Sequence, residues 1–189
     1  MDEIKKNIVD MLLSTKREGM EDFLVEMANN GFFTSPCSGG NHLCKEGGLA
    51  EHSWNVCQKA MELANAWGME NMMDSVVIAS LLHDYGKTGD FDKPLYVDNI
   101  LKSGKPSETK PFKRNQDILE KNHAIKSAVM INRWIDLTED EEFAILHHDG
   151  FYERANFDAW QKPTPLLMIL HFADLWCSRV VEEAKESEE

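Results

Sequence analysis

The residues best suited to chemistry are histidines and aspartates that recur at intervals along the chain. The central motif is residues 81–87 (LLHDYGK), where His83 and Asp84 end an apolar run. A buried carboxylate is costly unless it is paired or binds a metal, so Asp84 needs partners. The other inward-facing candidates are His52, His123, His148 and Asp174. Any one of them could be an ordinary core histidine or aspartate, but together they favour a metal site in a helical bundle.

This ligand set indicates the kind of metal. Nitrogen and oxygen ligands without a thiolate suit Mn, Fe, Zn, Co, Ni or Mg, and we expect one or two divalent ions. A first ion would take His52, His83, Asp84 and Asp174, and a second would be served by His123 and His148. Asp84 would bridge two ions about 3.5–4 Å apart, the separation typical of two-metal phosphoesterases, and hold a hydroxide for in-line attack.

Helical periodicity predicts the elements that must position these residues. Amphipathic faces indicate a helix around Ile8 and another that stops at residues 29–31 (NNG). A third helix is expected from about Gly48 to Trp67, with His52 on its inner face. The segment leading to His83 is apolar on most sides and is expected to be buried.

Capping signals mark the starts of later helices. Asp74 is the expected N-cap of the helix before His83. Thr138 and Glu141 have the form of a capping box for a short helix ending at residues 147–148. Thr164 followed by Pro165 predicts the start of the helix that carries Asp174.

Between Gly86 and about Asn115 the helical period is lost. Prolines and a Ser-Gly-Lys turn predict a small β-hairpin at about residues 93–114, with residues 96–101 and 110–113 as its arms. This basic segment is either a solvated surface loop or a substrate lid. Helical spacing then resumes over residues 118–134.

Length, composition and charge limit the function classes. The chain has 189 residues, 42% of them hydrophobic, which fits a single domain over residues 1–189. Its formal net charge of −13 argues against binding of duplex nucleic acid. Residues 182–189 hold part of that charge, and we expect them to be a solvated, fraying helix end.

The same features predict the cellular setting. We expect a cytoplasmic protein without membrane association, since the sequence shows neither a secretory signal nor an apolar run long enough to span a bilayer. Cys37, Cys44, Cys57 and Cys177 lack the spacing of zinc ribbons, so we expect reduced, mostly buried thiols. A zinc or disulfide role for Cys37 and Cys44 is the alternative.

The order of motifs resembles the HD-domain superfamily of metal-dependent phosphohydrolases. That pattern is a histidine, a His-Asp pair, optional further histidines and a final aspartate. In this chain the match covers about residues 33–181. The specific matches are residues 47–53 (GGLAEHS), residues 83–87 (HDYGK) and the pair Ala173 and Asp174. The resemblance is greatest to small bacterial and phage HD hydrolases and to the HD part of the exoribonuclease group. It implies an all-α HD-type bundle with a small β-hairpin insertion.

The resemblance also implies roles for further residues. Lys87 would lie near the metals and offset phosphate charge; the alternative is a surface lysine at a helix end. His42, in a loop that contains Pro36, would line the site or face solvent. In the related pattern a ligand histidine stands shortly before a glycine, so the spacing to Gly150 favours His148 over His147 as a ligand. His147 is then a candidate for the residues that surround the ligands. His171, one helical turn before Asp174, would orient a ligand or substrate, or else pack in the core.

Departures from related patterns narrow the expected substrate. An acidic pair after the His-Asp motif, typical of stringent-response nucleotide hydrolases, is absent, and so is the Gly-Tyr-Pro signature of the cyclic-dinucleotide branch. We therefore expect hydrolysis of a phosphomonoester or phosphodiester, of a nucleotide or short oligonucleotide, through a metal-bound hydroxide. The alternatives are an HD-like mixed-valent diiron oxygenase and a catalytically silent nucleotide sensor. The sequence leaves the oligomeric state open.

Overall fold

Seven α-helices dominate the residues that the computed structural model describes, which are 2–40, 42–119, 121–150 and 153–182. They are α1 (Asp2–Ser14), α2 (Met20–Asn29), α3 (Gly48–Ala66), α4 (Met73–Leu82), α5 (His123–Ile131), α6 (Glu139–His147) and α7 (Pro165–Trp176). A π-helical turn, Cys177–Val181, extends α7. The expected all-α bundle is confirmed.

Helix α4 lies at the centre of the bundle. Its residues from Val76 to Leu82 are all buried, as expected for a helix that is apolar on every side. Helix α3 packs against α4 and α7, and α4 also contacts α1, α6 and α7. Because α4 leads directly into His83 and Asp84, the most buried helix delivers this pair to the interior.

Most predicted helix ends are confirmed. Helix α2 ends at Asn29, and α3 runs from Gly48 to Ala66. Thr138 and Glu141 form the reciprocal capping box of α6, and the Thr164 side chain caps α7. Each of these signals is local in the sequence, so tertiary packing does not override it.

Two predicted helix starts are wrong. Asp74 does not cap α4, because the 3₁₀ turn Glu70–Met72 runs straight into the helix and places Asp74 in its first turn. Helix α5 begins at His123 rather than near residue 118, since the Asn122 side chain accepts hydrogen bonds from the amides of Ala124 and Ile125 and caps the helix there.

Four short strands form the β-structure of the described residues. Strands β1 (Gly89–Asp90) and β2 (Lys93–Pro94) pair with each other, and β3 (Tyr96–Asp98) pairs antiparallel with β4 (Phe112–Arg114). The hairpin expected at about residues 93–114 is therefore present. Its first arm is shorter than predicted, because beyond Asp98 only an isolated bridge joins Ile100 to Pro106.

Three expectations about the rest of the chain can be compared with the structure. Across the described ranges, no helix combines the length and apolar character needed to cross a bilayer. All four cysteines are free thiols, and all but Cys44 are buried, as predicted. Glu182 is 1% exposed, so the expectation that the acidic end is solvated is wrong at this residue; residues 183–189 lie outside the described ranges.

Candidate metal centre

The predicted ligands converge where several helices end. His52 comes from the first half of α3, His83 and Asp84 follow α4, His123 opens α5, and His148 follows α6. Asp174 lies on α7 and completes the group. Residues that are far apart in sequence thus meet beside one buried carboxylate.

His83 and His148 are held in the same way. Nδ1 of His83 donates to the carbonyl of Ser80 at 2.8 Å, and Nδ1 of His148 donates to the carbonyl of Ile145 at 2.8 Å. A carbonyl can only accept, which fixes the proton on Nδ1 of each ring and leaves Nε2 with a lone pair when the ring is neutral. Both rings are buried, with their centroids 4.8 Å apart.

These Nε2 atoms face the Asp84 carboxylate. Nε2 of His83 is 3.4 Å from Oδ2 of Asp84, and Nε2 of His148 is 3.7 Å from Oδ1. Nε2 of His123 is also 3.2 Å from Oδ1, and Nζ of Lys87 donates to Oδ2 at 2.6 Å. Asp84 is 1% exposed, so this carboxylate is buried among three histidines and a lysine.

His52 lies between carboxylates. Its Nδ1 donates to Glu182, at 3.0 Å from Oε2 and 3.1 Å from Oε1, and its Nε2 is 3.2 Å from Oδ1 of Asp174 and 3.6 Å from Oδ2 of Asp84. The Asn55 amide in turn donates to Glu182 at 3.0 Å. The Glu182 contact therefore orients the ring so that Nε2 faces the cluster.

The protonation equilibria reflect this crowding. Burial alone would raise the pKa of Asp84, but Lys87 and the histidines outweigh it and hold that pKa well below its usual range. Burial lowers the pKa of His83. For His148, burial is outweighed by Asp84, Asp149 and Asp174, which raise its pKa to about 9.

A divalent cation fits this arrangement. Two buried atoms, Nε2 of His83 and Oδ1 of Asp84, have no hydrogen-bond partner among the described residues, and unpaired buried groups of this kind are costly. Lone pairs and a carboxylate that face one another repel unless a proton or a metal lies between them. Ligand atoms group within 4.8 Å of one another in the sets His52/His83/Asp174, His83/Asp84/His148 and His123/His148/Asp149.

The first two sets share His83, and the last two share His148. His52 and His83 face Oδ2 of Asp84, whereas His123 and His148 face Oδ1. The Asp84 carboxylate therefore lies between two groups of histidines.

A cavity of about 300 Å³ opens over the cluster. Its lining includes Asp84, Lys87, His123, Asp174, Ser178 and Arg179. This volume is at the lower end of the range for small-molecule sites, about 300–1,000 Å³.

The three remaining histidine candidates differ in position. His42 and His171 both line the cavity; Nε2 of His42 is 3.3 Å from Sγ of Cys37, and Nδ1 of His171 donates to the carbonyl of His148 at 2.8 Å. His147 is not among the cavity-lining residues, since its Nδ1 hydrogen-bonds to Oδ1 of Asn156 at 2.7 Å and its ring packs on Phe143.

Two residues of the cluster were not predicted from the sequence. Asp149 places Oδ1 3.5 Å from Nε2 of His123 and 3.8 Å from Nε2 of His148; its position directly after a histidine pair was the available signal. Glu182, which orients His52, belongs to an acidic run that gives no such signal.

Comparison with known proteins supports the same family. Comparisons with curated proteins and with solved structures each found no match. The family model of the HD domain matches residues 49–177, a span that includes His52, the His83 and Asp84 pair, and Asp174. The chain therefore belongs to the HD-domain superfamily of metal-dependent phosphohydrolases.

Proposed function

We propose that this protein is a metal-dependent phosphohydrolase that cleaves a phosphomonoester or phosphodiester of a nucleotide or short oligonucleotide. One observation carries the proposal: the Nε2 atoms of His83 and His148 converge on the buried Asp84 carboxylate, with both Nδ1 protons committed to backbone carbonyls. Such a donor set is matched to a divalent cation rather than to a core hydrogen-bond network.

The proposed ligands divide between two positions. His52, His83, Asp84 and Asp174 would hold one ion, and His123 and His148 would hold the other with Asp84 shared between them. Asp149 adds a carboxylate on the second side. When bound, such ions polarise a phosphoryl oxygen and lower the pKa of a coordinated water to about 7.

Lys87 would act on the substrate. Its ammonium lies 2.6 Å from Asp84 and lines the cavity, where it can offset the charge of a phosphate group. Burial would lower the pKa of Lys87, but Asp84, Cys37 and Asp174 together outweigh burial and raise the pKa well above its usual value, so the side chain stays cationic. A fixed positive charge of this kind stabilises negative charge that develops at phosphorus.

The test is phosphate release from nucleotides and generic phosphodiesters under Mn, Fe(II), Ni, Co, Zn and Mg. We expect metal-dependent turnover in the wild type and its loss in Asp84→Ala and His83→Ala. His147→Ala is the matched control, because it removes a neighbouring histidine that bonds to Asn156 outside the cluster. Turnover that survives in Asp84→Ala with unchanged rate would refute the proposal.

The alternative functions would give different results. Bound iron with oxygen consumption and no ester cleavage would indicate a diiron oxygenase. Tight nucleotide binding without turnover under any of the metals would indicate a sensor.

A further inference from the structure

A smaller cavity lies beside Lys126, whose Cβ atom packs against Gly86 in the turn that follows Asp84. It has a volume of about 120 Å³ and is lined by Asp90, Phe91, Lys93, Asp117, Ile118, Leu119, Lys121 and Lys126. None of these residues lines the cavity over the metal centre. The site is thus separate from the one described above.

The backbone places this cavity directly behind the metal-binding turn. Gly86 packs so closely on α5 that a Cβ atom there would lie 2.7 Å from Cβ of Lys126, and its amide donates to Ser127 at 2.8 Å. The Lys126 stem therefore covers the back of the turn, and its ammonium reaches towards the cavity.

Among the described residues, three cationic side chains lie near Asp90. This carboxylate is 3.1 Å from Nζ of Lys121 and 3.8 Å from Nη1 of Arg133, and Lys126 also lies within its electrostatic range. Nζ of Lys93, which also lines the cavity, donates to the backbone carbonyl of Asp117 at 3.0 Å. Several cations are thus clustered at this cavity, although the chain as a whole has a net charge of −13.

Lys126 provides the second, independent observation. It is 5% exposed, and in the ranges that the structure describes its Nζ atom has no hydrogen-bond partner. Burial of an ammonium with its three donors unused is costly. Burial lowers the pKa of Lys126, and Lys121 and Arg114 lower it further, against an opposing effect of Asp90.

We propose that this cavity binds a phosphate group through Lys126, Lys121 and Lys93. An anion there would supply the acceptors that Lys126 lacks and balance the cations around Asp90, and lysine is a common phosphate partner. The inference does not rest on the proposed hydrolase function, since it uses no residue of the metal centre.

The phosphate group has two chemical sources. One is inorganic phosphate, and the other is the phosphate of a nucleotide. The rim favours a test of the second, because the Phe91 ring is 75% exposed and Nζ of Lys121 lies 5.4 Å from its centroid, which leaves an aromatic face on which a base can stack.

The primary experiment is calorimetric titration of the full chain with inorganic phosphate. Lys126→Met keeps the stem that covers Gly86 and removes only the ammonium. We expect it to weaken phosphate binding at this site at least about tenfold, as for the loss of a charge-assisted hydrogen bond. The matched control is Lys102→Met, which removes an exposed lysine that does not line this cavity and should leave the affinity within about twofold of the wild type.

Lys121→Met is a second variant in case Lys126→Met does not fold. The Lys121 side chain is 44% exposed, so its replacement should leave the fold intact and still weaken phosphate binding. Phosphate affinity that is the same in the wild type and in both variants would overturn the proposal, and so would a wild type that does not bind phosphate.

A phosphonate analogue of AMP, which resists hydrolysis, distinguishes the sources. If Phe91→Ala weakens binding of the analogue but not of inorganic phosphate, the ligand is a nucleotide. If Phe91→Ala changes the affinity for neither the analogue nor inorganic phosphate, the ligand is the free anion. Either conclusion requires that Lys126→Met weakens phosphate binding.

Discussion

Nδ1 of His52 donates a hydrogen bond to the carboxylate of Glu182, 130 residues away in the chain. The contact fixes the imidazole so that its Nε2 faces Asp174 at 3.2 Å. Partners of this kind orient metal-binding histidines and increase their basicity. Glu182 is thus a positioning residue for the proposed centre.

We expect Glu182→Ala to lower metal affinity about 10–100-fold, the usual cost of losing such a partner. Glu182→Gln retains an acceptor oxygen for Nδ1, so its metal affinity should lie between those of the wild type and Glu182→Ala. The measurement is a competition titration of each variant against a metal chelator. Glu62→Ala, which removes a 65% exposed carboxylate on the same helix as His52, is the control. If Glu182→Ala binds metal as tightly as that control, Glu182 does not position His52.

Lys87 should affect catalysis more than metal binding. In Lys87→Met we expect kcat to fall on the order of a hundredfold, the typical effect of removing one electrostatic contact to the transition state, with metal content retained. Lys87→Arg should not restore the rate, because a planar guanidinium does not replace a compact ammonium 2.6 Å from Asp84. Steady-state kinetics with metal analysis of the same samples checks both parts. An unchanged kcat in Lys87→Met would remove Lys87 from the mechanism.

The turn that carries Asp84 depends on Gly86. A Cβ atom at this position would lie 2.4 Å from the carbonyl oxygen of His123 and 2.8 Å from the amide of Ser127, and backbone atoms cannot easily move away. We expect Gly86→Ala to destabilise the fold by about 1–3 kcal/mol and to weaken metal binding by separating Asp84 from His123. Denaturant unfolding and a metal titration test this.

Gly104→Ala is the comparison for that variant, since a Cβ atom there meets nothing within 4 Å and only the positive φ of 80° is strained. A metal affinity that is as high in Gly86→Ala as in Gly104→Ala would show that the close packing of Gly86 does not position Asp84.

The acid stability of the fold should depend on Glu141. This carboxylate is fully buried and pairs with Arg17 at 2.7 Å, with further bonds from Ser75 and the Thr138 amide. Burial alone would raise the pKa of Glu141, but these partners outweigh it and lower the pKa below 4.5. The ionised Glu141 carboxylate therefore contributes fully to the free energy of unfolding above about pH 4.5, its pKa in the unfolded chain. The contribution is lost as the pH falls through the lower pKa of Glu141 in the folded state.

Denaturant unfolding between pH 7 and pH 3 measures this effect. Glu141→Gln should be less stable than the wild type by about 1–3 kcal/mol at pH 7, and the difference should shrink as the pH falls. A difference that stays constant with pH would contradict the assignment.

Local signals explain why much of the fold could be predicted from the sequence. The capping box of Thr138 and Glu141 and the Thr164 cap involve residues within one turn of each other, so they operate whatever the tertiary context. Asp74 failed as a cap because a 3₁₀ turn precedes α4. The strand pair of Gly89–Asp90 and Lys93–Pro94 is too short for periodicity to reveal.

The same limit applies to the site. The apolar helix before His83 predicts that this histidine is buried. The cluster itself could therefore be predicted from the sequence. Glu182 could not, because it lies in an acidic run and the π-helical turn Cys177–Val181 shifts the helical phase between it and Asp174. Its partner His52 is distant in sequence, and only the fold brings the two together.

The most direct test of the central claim is the number of divalent ions bound per chain. Equilibrium dialysis of the chelator-treated protein against Mn(II), followed by elemental analysis, gives this number for the wild type, Asp84→Ala and the control His147→Ala. We predict one or two ions per chain in the wild type and in the control, and a loss of bound metal in Asp84→Ala. A wild type that binds no ion, or an Asp84→Ala variant with unchanged stoichiometry and affinity, would contradict a metal centre built around Asp84.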